Sequence, residues 1–189
     1  ASNNVAVGRQ ALNDCTTGSD NTSVGYQSLY NTTTGHSNAA LGKQALYSNT
    51  TAINNTAVGL STLYHNTTGY SNTGIGKSAL VNNTTGLKNT CVGYQAGDGL
   101  TSGVNNVCIG ADADVDSSSR QRAIALGEGV STFASNNTFR VVGDSGVYNT
   151  GNTSAWNTTS DRRLKKNIVD CTIGLDTIKQ IVVRNFEYR

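Results

Sequence analysis

Branched aliphatic residues recur along this chain at a fixed step: Val7, Val24, Leu41, Val58, Ile75, Val92, Ile109 and Leu126. Glycine follows each of them, from Gly8 and Gly25 to Gly110 and Gly127, so the chain repeats every 17 residues, eight times, without an insertion. Such self-similarity marks a solenoid or an array of stacked units. Other positions keep the same step. Two places before the glycine the residue is always small (Ala6, Ser23, Ala40, Ala57, Gly74, Cys91, Cys108, Ala125). Four places before it stand Asn4, Asn21, Asn38, Asn55, Asn72, Asn89 and Asn106, and four places after it Leu12, Leu29, Leu46, Leu63 and Leu80. A "TTG" turn follows at Gly18, Gly35, Gly69 and Gly86, with Ala52 as the exception.

Seventeen residues are too few for a pair of helices, and Asn, Thr and Gly are poor helix interiors. Short β-branched segments between Asn/Thr/Gly clusters read as strand and turn. The predicted element is therefore one coil of a β-solenoid or β-roll, with an asparagine ladder and a continuous aliphatic spine where like stacks on like. At about 4.8 Å per stacked strand, the coils give a rod on the order of 40 Å long.

Each coil offers few large apolar side chains, for example Val58, Leu60, Leu63 and Tyr64. Burying each contributes about 1.5–3 kcal/mol, whereas ordering the backbone costs roughly 1–2 kcal/mol per residue. The apolar positions also cluster in one sector of the coil. That one-sidedness asks for partner chains, most simply a homotrimer around a common axis. Towards the end the pattern weakens: Gly97 and Asp114 replace the leucine, and "DADVDSSSRQR" replaces the polar turn. Residues 133–150 then read as strand, turn, strand.

Composition narrows the picture further. Charged residues make up 14%, Gly reaches 21, and Pro and Met are absent. Residues 1–160 carry seven Lys/Arg against eight Asp/Glu, and residues 161–189 seven against four. The long first part is nearly neutral, without a continuous basic stripe for a phosphate backbone, so nucleic acid is not an expected partner. No apolar run approaches the length that spans a bilayer, and membrane insertion is not expected. Cys15, Cys91, Cys108 and Cys171 have no CxxC spacing and no nearby histidine, which speaks against a zinc site.

Several motifs carry candidate chemistry, and the repeat accounts for most of them. "GDSG" at 143–146 matches the nucleophile loop of chymotrypsin-like proteases. The histidines, His36 and His65, lie in polar parts of different repeats, and a hairpin turn between "FRVV" and "VYN" is the favoured reading. "GIGKS" at 74–78 suggests a phosphate loop, but Ser71 stands where its first glycine belongs. Asp112, Asp114 and Asp116 would share one face of a strand and could hold calcium; a solvated turn is favoured, and no metal or cofactor is expected. Cys91 and Cys108 share a column in adjacent coils, as small buried residues rather than an axial disulfide. The threonines at 33, 50, 67, 84 and 101 either form a flat hydroxyl array, as in ice-binding solenoids, or satisfy turn backbone locally. Asn-x-Ser/Thr sequons at Asn21, Asn31, Asn49 and Asn66 arise from the same composition.

From residue 160 the composition changes. "RLKKNIV" is strand-like, Leu175, Ile178 and Ile181 mark one face of a short helix, and "VVRNFEYR" follows as a second strand. The stretch "SDRRLKKNI", with "GLDTIKQI" and "FEYR" after it, resembles the start of the endosialidase-type intramolecular chaperone domain of phage and viral tail fibres. The resemblance covers about 30 residues, and that domain normally continues into helices beyond "FEYR". The shaft phrases "NTAVG" and "NTTG" are similar to repeats that precede the domain and, more loosely, to the trimeric β-roll heads of bacterial adhesins. The resemblance implies trimerisation directed by the chaperone and autoproteolysis between Thr159 and Ser160. Ser160 would be the nucleophile and Lys165 its base, with Lys166 the competing choice; a lysine serves only if its amine is partly neutral.

The expectation is an all-β fold: an elongated homotrimeric β-solenoid or β-roll shaft over 1–132, a strand-rich neck over 133–159, and a small α+β segment over 160–189 that begins a chaperone domain. The expected role is a structural virion fibre that attaches to a host receptor or glycan, with no turnover of an external substrate. A bacterial surface adhesin or filament is the alternative reading, and an ice-binding solenoid a third.

Overall fold

The computed structural model describes residues 1–131, 136–141, 147–149 and 157–158. The chain divides into two units, Ala1–Thr159 and Ser160–Arg189. The second unit, with the expected α+β segment, lies outside the described residues.

Each repeat supplies one three-residue strand: β1 (Val5–Val7), β2 (Thr22–Val24), β3 (Ala39–Leu41), β4 (Thr56–Val58), β5 (Thr73–Ile75), β6 (Thr90–Val92), β7 (Val107–Ile109) and β8 (Ile124–Leu126). Together with β9 (Phe139–Val141) they form a parallel sheet of nine strands in sequence order. From β1 to β8 every residue pairs with the one 17 positions on, as Ala57 does with Gly74. The step shortens to 15 between β8 and β9, where Ile124 pairs with Phe139. The fold is thus an all-β solenoid of about eight turns. Two antiparallel strands, β10 (Val147–Asn149) and β11 (Asn157–Thr158), extend the sheet at its end. The segments "FRV" and "VYN" pair as expected of a hairpin, while the GDSG residues between them lie outside the described set.

The corners explain why the sequence repeats so strictly. The glycine after each strand has a φ of +126° to +142° up to Gly127, a region that L side chains rarely adopt. A Cβ built on Gly59 would sit 2.6 Å from the carbonyl oxygen of Gly76, one coil on. Within the same coil Asn54, Ser61 and Leu63 also have positive φ, at 58°, 53° and 53°. Each non-glycine residue there costs on the order of 1 kcal/mol. Stacking offsets it, because each gives its N–H to a neighbouring coil: Asn54 to His36 O (3.3 Å), Ser61 to Lys43 O (2.9 Å) and Leu63 to Ala79 O (3.0 Å).

The left-handed turn at Leu63 aims its side chain inward. Leu29, Leu46, Leu63 and Leu80 are fully buried and form the core. Where Gly97 and Asp114 interrupt that column, Leu100, Val115 and Val130 fill the interior from other positions. The small residue of each strand faces the core too. Ser23 Oγ donates to the carbonyl of Ser28 across the coil at 2.9 Å, so little room separates the walls. Period-2 alternation then turns the branched aliphatic outward. This corrects the expected spine: of Val58, Leu60, Leu63 and Tyr64, only Leu63 is fully buried, and Leu60 is 39% exposed. Arg140 occupies the small-residue column in β9, 6% exposed, with its guanidinium donating to the carbonyl of Ser131.

Candidate functional site

The outward face of the parallel sheet is the surface that the repeat builds most regularly. One stripe runs Val7, Val24, Leu41, Val58, Ile75, Val92, Ile109 and Leu126, each paired in register with the next. Val7 is 57% exposed, Leu41 52%, Ile75 41% and Ile109 42%; the others are half-buried. Beside it runs a second stripe, with Thr22, Thr56, Thr73 and Thr90 in the middle coils and Val5, Val107 and Ile124 towards the ends. No charged side chain from Val5 to Leu126 stands on either stripe.

Asparagine holds this face to the rest of the coil. Asn55 Oδ1 accepts the backbone N–H of Asn72 at 2.9 Å, and its Nδ2 donates to the carbonyl of Gly69 at 2.8 Å. The same pair of bonds recurs at Asn4, Asn21, Asn38, Asn72, Asn89 and Asn106. A second ladder, Asn49, Asn66 and Asn83, was hidden in the sequence as glycosylation sequons. Asn66 Nδ2 donates to Asn49 Oδ1 (3.3 Å) and Asn83 Nδ2 to Asn66 Oδ1 (2.8 Å). It ends where Leu100 takes the next place, leaving Asn83 Oδ1 buried without a partner. Since Asn21, Asn49 and Asn66 are all fully buried, these three sequons are not glycan acceptors in the folded coil; Asn31 is half-buried.

The threonine columns do turn chemistry. Thr33 Oγ1 donates to Thr50 O (3.2 Å), Thr50 to Thr67 O (3.1 Å), Thr67 to Thr84 O (3.1 Å) and Thr84 to Thr101 O (3.0 Å). The N–H groups of Thr33, Thr34 and Gly35 converge on the same Thr50 oxygen. Their hydroxyl protons are therefore committed to backbone rather than presented as a free array.

Other sequence candidates disperse. Cys91 and Cys108 are register partners, fully buried and free; a side-chain hydrogen bond with Cys108, together with burial, holds the Cys91 thiol well above its usual range. Asp112, Asp114 and Asp116 do not share a strand face. Asp112 turns outward at φ +53°, and Asp116 pairs with Arg120 at 2.5 Å. Asp114 is turned partly inward, its Oδ2 accepting Gly99 N–H at 3.1 Å. Burial first, then the neighbouring Asp98 carboxylate, raises its carboxyl to about 6, against the pull of the Val115 and Gly99 N–H groups. Among the described residues, no group of three or more His, Cys, Asp or Glu could hold a metal ion. The GIGKS residues form an ordinary coil, with Gly74 and Ile75 in β5. His65 meets Tyr64 edge-on at 4.8 Å, and His36 is exposed in another coil. Ser160, Lys165, Lys166 and Cys171 lie outside the described residues.

Aromatic residues form a further ladder with the same 17-residue step. Tyr30, Tyr47 and Tyr64 stack with ring centroids 5.2 and 4.9 Å apart and planes within 6°. No described helix is long and apolar enough to cross a membrane. No family model, curated protein or solved structure matches this chain.

Proposed function

We propose that this chain is the shaft of a homotrimeric viral or phage tail fibre that projects or forms a host-attachment device, with a C-terminal segment that directs trimerisation. The supporting observation is the outward aliphatic stripe from Val7 to Leu126. A continuous apolar strip without charges is an unusual thing to leave in water, and three such strips meeting on an axis would bury it. Three copies also multiply weak surface contacts by avidity. The chaperone part of the reading rests on the "SDRRLK" motif, with a single self-cleavage before Ser160 by Ser160 and Lys165.

Light scattering on the full chain tests the assembly: a three-chain mass is expected, and a stable monomer overturns it. Leu41→Lys with Ile75→Lys, both exposed in the single chain, should dissociate the trimer while leaving the coils folded by circular dichroism. Mass spectrometry tests the cleavage. Ser160→Ala should abolish a break after Thr159, and unchanged processing removes the catalytic roles.

A further inference from the structure

One residue per coil follows the corner glycine: in the first six coils it is Arg9, Tyr26, Lys43, Leu60, Lys77 and Tyr94, all exposed, and in the last two the half-buried Ala111 and the exposed Glu128. Backbone bonds between successive coils fix them in line. Gln27 N–H donates to Arg9 O (3.0 Å), Gln44 to Tyr26 O (2.8 Å), Ser61 to Lys43 O (2.9 Å), Ser78 to Leu60 O (2.9 Å) and Gln95 to Lys77 O (2.9 Å). Over the first six coils cations and apolar or aromatic groups thus alternate rung by rung, with one cation about every 10 Å along the rod.

Between residues 21 and 97 the charge around this line has one sign. Residues 21–97 contain no Asp or Glu at all; the carboxylates lie before, at Asp14 and Asp20, or from Asp98 onward. No carboxylate in that stretch neutralises Lys43 or Lys77. Each instead leans over a ring, Lys43 Nζ 5.9 Å from the Tyr26 centroid and Lys77 Nζ 5.5 Å from that of Tyr94, within cation–π range. Both lean towards a tyrosine and not towards Leu60, which stays 39% exposed between them.

We infer that this stripe binds a linear acidic polysaccharide laid along the rod, its carboxylates or sulfates on Lys43, Lys77 and Arg9 and its ring faces on Tyr26, Leu60 and Tyr94. The spacing selects the partner class. Duplex nucleic acid carries a charge about every 1.7 Å of its axis, far denser than one cation per two rungs. A polysaccharide with an acidic group on alternate sugars matches the sparse cations, and its apolar C–H faces suit the rings and the leucine between them. This deepens the attachment reading but does not need the trimer.

Hyaluronan, neutral dextran, poly-glutamate and duplex DNA are the probes, each measured against the full chain immobilised on a surface. Hyaluronan should bind and weaken as salt is added. Lys43→Gln with Lys77→Gln should weaken it about tenfold or more, as for two exposed charge pairs; Leu60→Gln should weaken it less, and Lys88→Gln, off the stripe, should leave it unchanged. Unaltered thermal unfolding shows that the exposed substitutions keep the fold. Absent hyaluronan binding, binding indifferent to Lys43 and Lys77, equal binding of dextran, or tighter binding of DNA or poly-glutamate would each overturn the inference. Light scattering on the same samples separates it from the fibre reading. A monomer that binds through these lysines defeats the trimer alone, and a trimer that does not bind defeats the stripe alone.

Discussion

The backbone N–H of Asn72 donates to the side-chain oxygen of Asn55, one coil earlier, at 2.9 Å. Asn55 is 1% exposed and Asn72 fully buried, so water cannot replace either partner. Asn55→Ala would also remove one of the two amide donors to the Gly69 carbonyl, which keeps Asn66 Nδ2 at 2.9 Å. The one buried backbone N–H left unpaired costs about 1–3 kcal/mol. Urea unfolding should show that loss for Asn55→Ala, and less than about 0.5 kcal/mol for the exposed Thr68→Ala. Equal midpoints for the two variants would show that the ladder contributes nothing.

Glycine at the corners separates two kinds of constraint. At Gly59 a side chain meets both a φ of +134° and the Gly76 oxygen at 2.6 Å, so Gly59→Ala should cost about 2–5 kcal/mol. Gly129 has φ +61° and open space around it, and Gly129→Ala should cost only about 1 kcal/mol. Thermal unfolding of both variants measures the difference; a smaller loss at Gly59 would show that the coils can move apart.

The Asp114 carboxyl, raised to about 6 by burial and then by Asp98, makes stability depend on pH. The folded state holds its proton more tightly than the unfolded chain, whose carboxyl has the ordinary value of 3.8. Its penalty is therefore absent below that value and grows as pH rises to about 6. Asp114→Asn should stabilise the protein at pH 7.5, by on the order of 1–2 kcal/mol after allowance for its solvent-facing side. At pH 3.5 the gain should vanish. A gain equal at both pH values would assign the effect to packing.

Buried thiols should be inert. With its thiol held in the neutral form by Cys108 and by burial, Cys91 should resist brief alkylation at pH 8, whereas the half-buried Cys15 should react. Peptide mapping reads each site separately. Fast labelling of Cys91 in the folded protein would mean that the coils open there.

How the repeat builds a surface was only half legible. The equal steps from Asn38 to Asn55 to Asn72 gave away the ladder, because in-register stacking is the one arrangement that brings identical residues together at constant spacing. The Asn49–Asn66–Asn83 ladder has the same spacing, but locally Asn49 and Asn66 look like sequons, and the stacked tyrosines look like scattered aromatics. Both signals lay in the column and not in the local motif. For Ser160 and Lys165 the motif stands alone, since neither residue is among those described.

By itself, then, the sequence determined the 17-residue period, the strand before each glycine and the stacking of like on like, since backbone geometry and turn chemistry act over a few residues. Only the tertiary structure decided which apolar column is core. Val58 and Leu63 look alike in a list of hydrophobic positions, yet Leu63 is sealed inside and Val58 lies on the outer face. The narrow gap between walls admits only small residues such as Ala57 from strands β1 to β8, and the positive φ at Leu63 swings its side chain into the space that remains.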